Sequence, residues 1–271
     1  MDSQYRDLPR PQGELEHAYG PRVHLLSHPW ALSLLARLCR ADTVQPVVDD
    51  LIASLYDWML PTVASRVLQT RPASVRTRMA EHHPELAVIE GEMVDPEQRV
   101  VVVDIARGGI LPSARLYRGL HGVIEPGSLR QDHVVASRTH DPQGRVTGVE
   151  VNTRKVGGPV AGATVLIPDP MAATGTSLAS VASRYLADPA GPPRALVAMH
   201  LIVTPEYLRR ITTELPEVEI FAIRLDRGLS HPDVLATQPG ARWDDERGLN
   251  DAGYIVPGAG GLGEVMNNAW V

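Results

Sequence analysis

The sequence predicts an α/β fold in which a mostly parallel sheet is flanked by helices. Three observations carry that expectation. Apolar, β-branched runs at residues 99–104, 165–167, 194–204 and 218–225 alternate with amphipathic stretches of helical length. Such alternation specifies parallel strands joined by crossover helices, with ligands bound beyond the carboxyl ends of the strands. Aromatics are scarce, Phe221 being the single phenylalanine, so the core must come from Val, Leu, Ile and Ala, which suits strands buried on both faces. The length of 271 residues accommodates one large α/β domain or two small ones.

The formal net charge is −6 with no long basic block, which argues against a general nucleic-acid or acidic-membrane binder and leaves a small molecule as the default partner. Cys39 is the single cysteine, so an intramolecular disulfide and a cysteine-rich metal site are excluded; inside an apolar helical pattern it reads as a buried structural thiol. Residues 1–20 lack the apolar core of a signal peptide, and no run is long enough to span a bilayer, so a cytoplasmic protein is expected.

In chain order, residues 1–22 are interrupted by Pro9, Pro11 and Pro21 and are expected to form a flexible arm ahead of a single domain over 23–271. Residues 23–26 suit a short strand. His28, read as a structural residue, and Pro29 precede a helix over 30–40 with Leu32, Leu35 and Leu38 on one face. Asp42 and Thr43 suit the cap of a second helix striped by Val47, Val48, Leu51, Ile52 and Leu55. Residues 61–94 show no clear period, and their Arg71, Arg76 and Arg78 read as a solvated basic face. The run at 99–104 is expected as a central strand that enters Arg107, Gly108 and Gly109 before an apolar helix through Leu116. Those glycines permit close backbone approach to an anion, and the guanidinium supplies charge. Residues 133–137 and 146–151 flank the turn-forming Asp141, Pro142, Gln143 and Gly144, which predicts a hairpin inserted between core strands. Arg138 and Lys155 are its basic candidates, with substrate contact and a solvated loop both open.

Val165, Leu166 and Ile167 suit a buried strand, and Asp169 stands at its end. Met171, Ala172, Ala173, Thr174, Gly175, Thr176 and Ser177 then lead into an amphipathic helix to Leu186. Consecutive amides, hydroxyls and a glycine at the positive end of a helix fit a phosphate, while Asp169 is placed to accept hydrogen bonds from sugar hydroxyls. His200, alone inside the strand at 194–204, reads as a satisfied core residue, and a short helix at 206–215 precedes the strand at 218–225.

The string Asp169, Pro170, Met171, Ala173, Thr174, Gly175 and Ser177 resembles the ribose-phosphate signature of the type I phosphoribosyltransferases. With proline in place of a second acid it resembles the uracil phosphoribosyltransferase family in particular. The resemblance runs from about residue 28 to 265 and returns in Gly253, Tyr254, Ile255, Val256, Pro257 and Gly258. It implies the type I phosphoribosyltransferase fold, with a β-hairpin flap at about 132–156 and a carboxy-terminal hood at about 226–271. It further implies that Arg107 and Gly108 form the pyrophosphate loop, that Arg138 matches the flap arginine, and that residues 171–177 hold a 5′-phosphate.

In the family the hood holds uracil through backbone groups, a role that falls here on Tyr254, Ile255, Gly260, Gly261 and Leu262. Two departures stand out. The segment from Leu225 to Ser230 is echoed at Asp245 to Asn250, so that residues 231–244 read as an insertion whose Pro239 and Trp243 either pack beside the base site or anchor the loop. Gly261 replaces the first family acid, Glu264 replaces the second, and Val265 replaces an arginine. The resemblance implies Mg²⁺-dependent transfer from 5-phosphoribosyl-1-diphosphate (PRPP) to uracil, with Asp169 and Arg107 catalytic and no dedicated protein metal cage, in a homo-oligomer. Transfer to another heterocycle, or a non-catalytic PRPP-binding regulator on the same fold, are the alternatives.

Overall fold

Strands buried on both faces build the centre of the molecule. The structure, a computed structural model, describes residues 13–140 and 146–269 and, for 137–140 and 146–153, the backbone alone. The elements are β1 (Gly13–Glu14), β2 (Val23–Ser27), α1 (Pro29–Leu38), α2 (Val47–Val67), β3 (Thr70–Arg76), β4 (Val88–Val94), β5 (Val100–Ala106), α3 (Ile110–Leu120), β6 (Leu129–His140) and β7 (Val146–Lys155). They continue with β8 (Thr164–Pro168), β9 (Met171–Ala172), α4 (Thr176–Leu186), β10 (Ala195–Val203), α5 (Pro205–Glu214), β11 (Val218–Leu225), α6 (Pro232–Leu235) and α7 (Leu262–Asn267).

The main sheet runs β1-β2-β11-β10-β8-β5-β6-β7, with β9 beside β10. From β2 to β6 the neighbours are parallel, and antiparallel β1 and β7 form the edges. Alternation sorts the side chains by face: Val101, Val103, Val165 and Ile167 pack with α4 and α5, whereas Val100, Val102 and Leu166 pack with α1, α2 and α3. Because every parallel strand points the same way, the loops after β5, β8, β10 and β11 gather at one end.

Three regions depart from expectation. Residues 13–22 are not a loose arm: β1 pairs with β2, and Leu15 and Tyr19 are buried in the core, a contact that proline punctuation conceals. The hairpin is not inserted between core strands, since β6 is itself a core strand, parallel to β5 along 100–106 before it continues beside β7. Residues 141–145 at its tip lie outside the described residues. Helix α2 runs through Pro61 to Val67, because Val48, Ile52, Leu55, Met59 and Val63 keep one apolar stripe across the proline and bury it. The remaining segment, β3 with β4, is a separate two-stranded ribbon, and Arg71 on it pairs with Asp95 and Glu97. No described helix is long and apolar enough to cross a membrane.

Candidate functional site

At the end of β5 the chain turns through Arg107, Gly108 and Gly109 into α3. A Cβ on Gly109 would lie 2.7 Å from the Ile105 nitrogen and 3.1 Å from the Pro168 oxygen, so only glycine fits between β5 and β8. One residue earlier, a Cβ on Gly108 would lie 3.0 Å from Asp169 Oδ1. The Arg107 loop therefore rests against the acid at the end of the neighbouring strand. The Ala106–Arg107 peptide is cis, and the exposed guanidinium donates from Nη1 to the Ala269 oxygen at 3.4 Å, so the tail behind α7 reaches this loop.

Asp169 follows β8, where its amide donates to the Met199 oxygen at 3.0 Å. Its own carbonyl is 2.6 Å from His200 Nδ1, and His200 Nε2 is 2.6 Å from the Tyr207 hydroxyl. A carbonyl only accepts, which makes Nδ1 the protonated nitrogen and Tyr207 the donor to Nε2. His200 is thus the satisfied core residue expected from its strand, and burial lowers its pKa to about 4. That its partner is the backbone of Asp169 could not be read from the strand pattern, because the contact crosses between neighbouring strands.

Beyond β9, Gly175 takes the left-handed conformation (φ 78°) and opens α4. Among the described residues the amides of Ser177 and Leu178 meet no protein acceptor, the usual state of a first helical turn. Thr174 Oγ1 and Thr176 Oγ1 are 3.0 Å apart, and Thr204 Oγ1 donates to the Ala173 oxygen at 2.6 Å. The loop presents amides, hydroxyls and the positive end of a helix on one side, which suits a phosphate.

The hood begins where β11 ends beside β10. Asp226 accepts from the Gly258 amide at 2.8 Å, and the Gly228 amide donates to the Val256 oxygen at 3.0 Å. Gly258 (φ 56°) turns so tightly over the Ile255 carbonyl that a Cβ would collide with it. Ile255 and Leu262 bury their side chains in the core on the α1–α2 face, and the Leu262 amide donates to the Gly260 oxygen at 3.0 Å. Tyr254 is half-exposed, and its amide and carbonyl are both held by Asn250, at 2.9 and 3.0 Å. Gly260 (φ 65°) precedes Gly261, over which the Glu264 carboxylate folds.

The insertion anchors the loop. Trp243 Nε1 donates to the Pro205 oxygen at 3.0 Å and its ring packs edge-on to Tyr19, while the Pro239 oxygen accepts from the Ala18 amide. Arg138 pairs with Val149 in the hairpin, but its side chain lies outside the described residues; Lys155 is exposed at the hairpin base. His28 caps α1, and Cys39 has its thiol pKa pushed up to about 11, by burial first and by the nearby Asp226 carboxylate, which suits an inert structural thiol. Asp104 was missed by sequence reading: it is buried within β5, bonded to His133 at 3.0 Å through Oδ2, and its Oδ1 has no partner among the described residues. Burial raises its pKa.

The family model described as uracil phosphoribosyltransferase matches residues 25–241. A protein of Thermococcus kodakarensis named uracil phosphoribosyltransferase is 30% identical over 74% of this chain and 70% of its own length. One of the same name from Synechococcus elongatus is 26% identical over 90% of this chain and 95% of its own. Another, from Thermococcus sibiricus, is 31% identical, and the chain spans 62% of its length. A solved protein of Aquifex aeolicus shares the fold at a TM-score of 0.67 with 23% identity, over 92% of this chain and 99% of that one.

Proposed function

The chain belongs to the uracil phosphoribosyltransferase family, and we propose that it transfers the phosphoribosyl group of PRPP to uracil and releases diphosphate. The observation that carries this reading is the meeting of two loops, with Gly108 against the Asp169 carboxylate and the 171–177 loop continuing from the same strand. A nitrogen of uracil attacks C1 of the ribose, the bond from C1 to the diphosphate oxygen breaks, and the nitrogen's proton leaves. No covalent protein nucleophile is required; position and charge do the work.

Thr174, Gly175, Thr176 and Ser177 hold the 5′-phosphate, with Met171, Ala172 and Ala173 shaping the approach. Asp169 accepts from the ribose hydroxyls, while Arg107 and Gly108 hold the leaving diphosphate. Arg138 closes from the flap, excluding water from the reacting carbon. Backbone groups of Ile255, Gly260 and Gly261 hold the base, with Tyr254 and Leu262 beside them, since the Tyr254 amide is committed to Asn250 and the Leu262 amide to the Gly260 oxygen.

Mg²⁺ is the proposed cofactor. Asp169, whose Oδ1 stands against Gly108 at the end of β8, is the acid that would face an ion brought in with the diphosphate. When bound it neutralises charge on the leaving diphosphate. Self-association is supported by the β3–β4 ribbon, whose Val75 and Ile89 are exposed, as are Met79 and Leu86 in the connection between the strands. A two-stranded ribbon is marginal in water without a covering surface.

One observation favours a different heterocycle as acceptor: Glu264, not residue 261, supplies the carboxylate over the Gly261 turn. Diphosphate release across a panel of bases decides between them, with uracil expected to be the active acceptor. Asp169→Asn should lower turnover by about 100-fold or more, the order seen when one aimed electrostatic contact is removed. Near-normal turnover in that folded variant would remove the assignment.

A further inference from the structure

We propose that Arg210, on α5, is a positioning residue of the phosphate loop: it brings positive charge behind the loop and directs the Thr176 and Thr174 hydroxyls toward the 5′-phosphate. The proposal rests on the reading of residues 174–177 as the phosphate site.

Helix α5 lies flush against the back of that loop. A Cβ on Gly175 would meet Tyr207 Cδ2 at 3.2 Å, Ile211 Cδ1 at 3.3 Å and Arg210 Cδ at 3.4 Å. From there Arg210 Nη1 donates to Thr176 Oγ1, which is 3.0 Å from Thr174 Oγ1. A guanidinium has no acceptor, so the Thr176 oxygen must accept and its own hydrogen is free to be given away. Thr174 Oγ1 is the neighbour placed to take it. That leaves the Thr174 hydrogen for an acceptor outside the loop, and the chain of donors runs from a permanent positive charge toward the ligand side. Charge at the head of such a chain strengthens every bond along it.

The two arginines in sequence on α5 are used differently. Arg209 turns outward, pairing with Asp244 at 2.6 Å and standing over the Trp243 ring. Arg210 turns to the loop, and among the described residues its one ion pair is the partly exposed contact with Glu214 at 3.4 Å, one helical turn on. An exposed pair of this spacing is worth little in water, so the guanidinium charge remains available to an anion at the loop. Glu206, the acid in the first turn of α5, is occupied by the Gly248 and Leu249 amides.

Ribose 5-phosphate and inorganic pyrophosphate separate the two anion sites. Their binding to the wild-type chain, Arg210→Met, Arg210→Lys and Thr176→Val is measured by calorimetry, alongside thermal unfolding. Arg210→Met should weaken ribose 5-phosphate by about tenfold or more, as expected for loss of a charge-assisted bond, and leave pyrophosphate within about twofold. Arg210→Lys should recover part of the loss. Adding Thr176→Val to Arg210→Met should cost little more than either change alone, because both cut one chain. Equal loss of both ligands, or unchanged ribose 5-phosphate binding in Arg210→Met and Thr176→Val, would reduce Arg210 to a tie between helices. Failure of the wild-type chain to bind ribose 5-phosphate at all would instead take down the phosphate site itself, and this proposal with it.

Discussion

The loop after β8 is held from behind by α5, whereas the hood after β11, also tied to α5 through Glu206 and Arg209, carries a buried ion pair of its own. Thr204, Tyr207 and Arg210 on one side of α5 reach Ala173, His200 and Thr176. In the hood, Arg227 and Glu246 are both fully buried and meet at 2.7 Å. Arg227 also donates to the Thr237 oxygen at 2.8 Å, and Glu246 accepts from Tyr19 and from the Gly240 amide. A phosphate loop needs its own amides free for the ligand, so support must come from outside it. A loop that presents backbone to a planar base needs fixed carbonyls and amides, and an internal ion pair fixes them.

The largest expected effect tests the hood side of that contrast. Arg227→Met strands the Glu246 carboxylate in the core and removes the donor to several carbonyls, which should cost about 3–5 kcal/mol of stability. Arg247 occupies the same place in the second copy of the motif, yet it is exposed and caps only the Asp244 and Glu246 oxygens. Arg247→Met should therefore lie within about 0.5 kcal/mol of wild type. Urea unfolding of the pair checks this, and similar costs for the two substitutions would mean that the buried pair does not anchor the hood.

The loop side is sharpened by pH. His200 is neutral in the folded chain because burial holds its pKa at about 4, below the ordinary histidine value of 6.5. The unfolded chain then binds the extra proton between those values, so stability is full above about 6.5, falls as pH drops toward about 4, and is flat below. The loss across that window should be about 3 kcal/mol. Protonation would also turn Nε2 into a second donor facing the Tyr207 hydroxyl, loosening the support of Asp169. Denaturation curves of wild type and His200→Gln at pH 7 and pH 4.5 measure the difference; equal pH dependence in both chains would exclude His200 as its source.

Much of this was legible in the residues. Strand and helix order followed from β-branched runs whose side chains are buried on both faces, and the Asp169 to Ser177 string marks its own loop through its small residues and Gly175, which takes the left-handed turn into α4. The β3–β4 ribbon was not legible, since none of its residues is buried, most are exposed and no apolar period survives. Nor was the double role of β6, where one strand belongs to the core and then to the hairpin with no break in the sequence. The supports behind the loop were hidden for another reason. Arg209 and Arg210 look alike on a helix, and only the packing of α5 against Gly175 distinguishes them.

The smallest effect asks whether the hood meets its ligand through backbone alone. Tyr254 is half-exposed, and Asn250 holds the Tyr254 amide at 2.9 Å through Oδ1 while its own amide donates to the Tyr254 oxygen at 3.0 Å. Truncating the ring leaves those bonds in place. Tyr254→Ala should change kcat/KM for the base by no more than about threefold, equivalent to a surface substitution of about 0.5 kcal/mol. Asn250→Ala removes the acceptor shared by the Ala252 and Tyr254 amides and should cost more, about 1 kcal/mol or roughly fivefold. Steady-state kinetics with varied base decide the order. If Tyr254→Ala is the more damaging of the two, the ring itself contacts the base, and the hood then works through a side chain as well as its backbone.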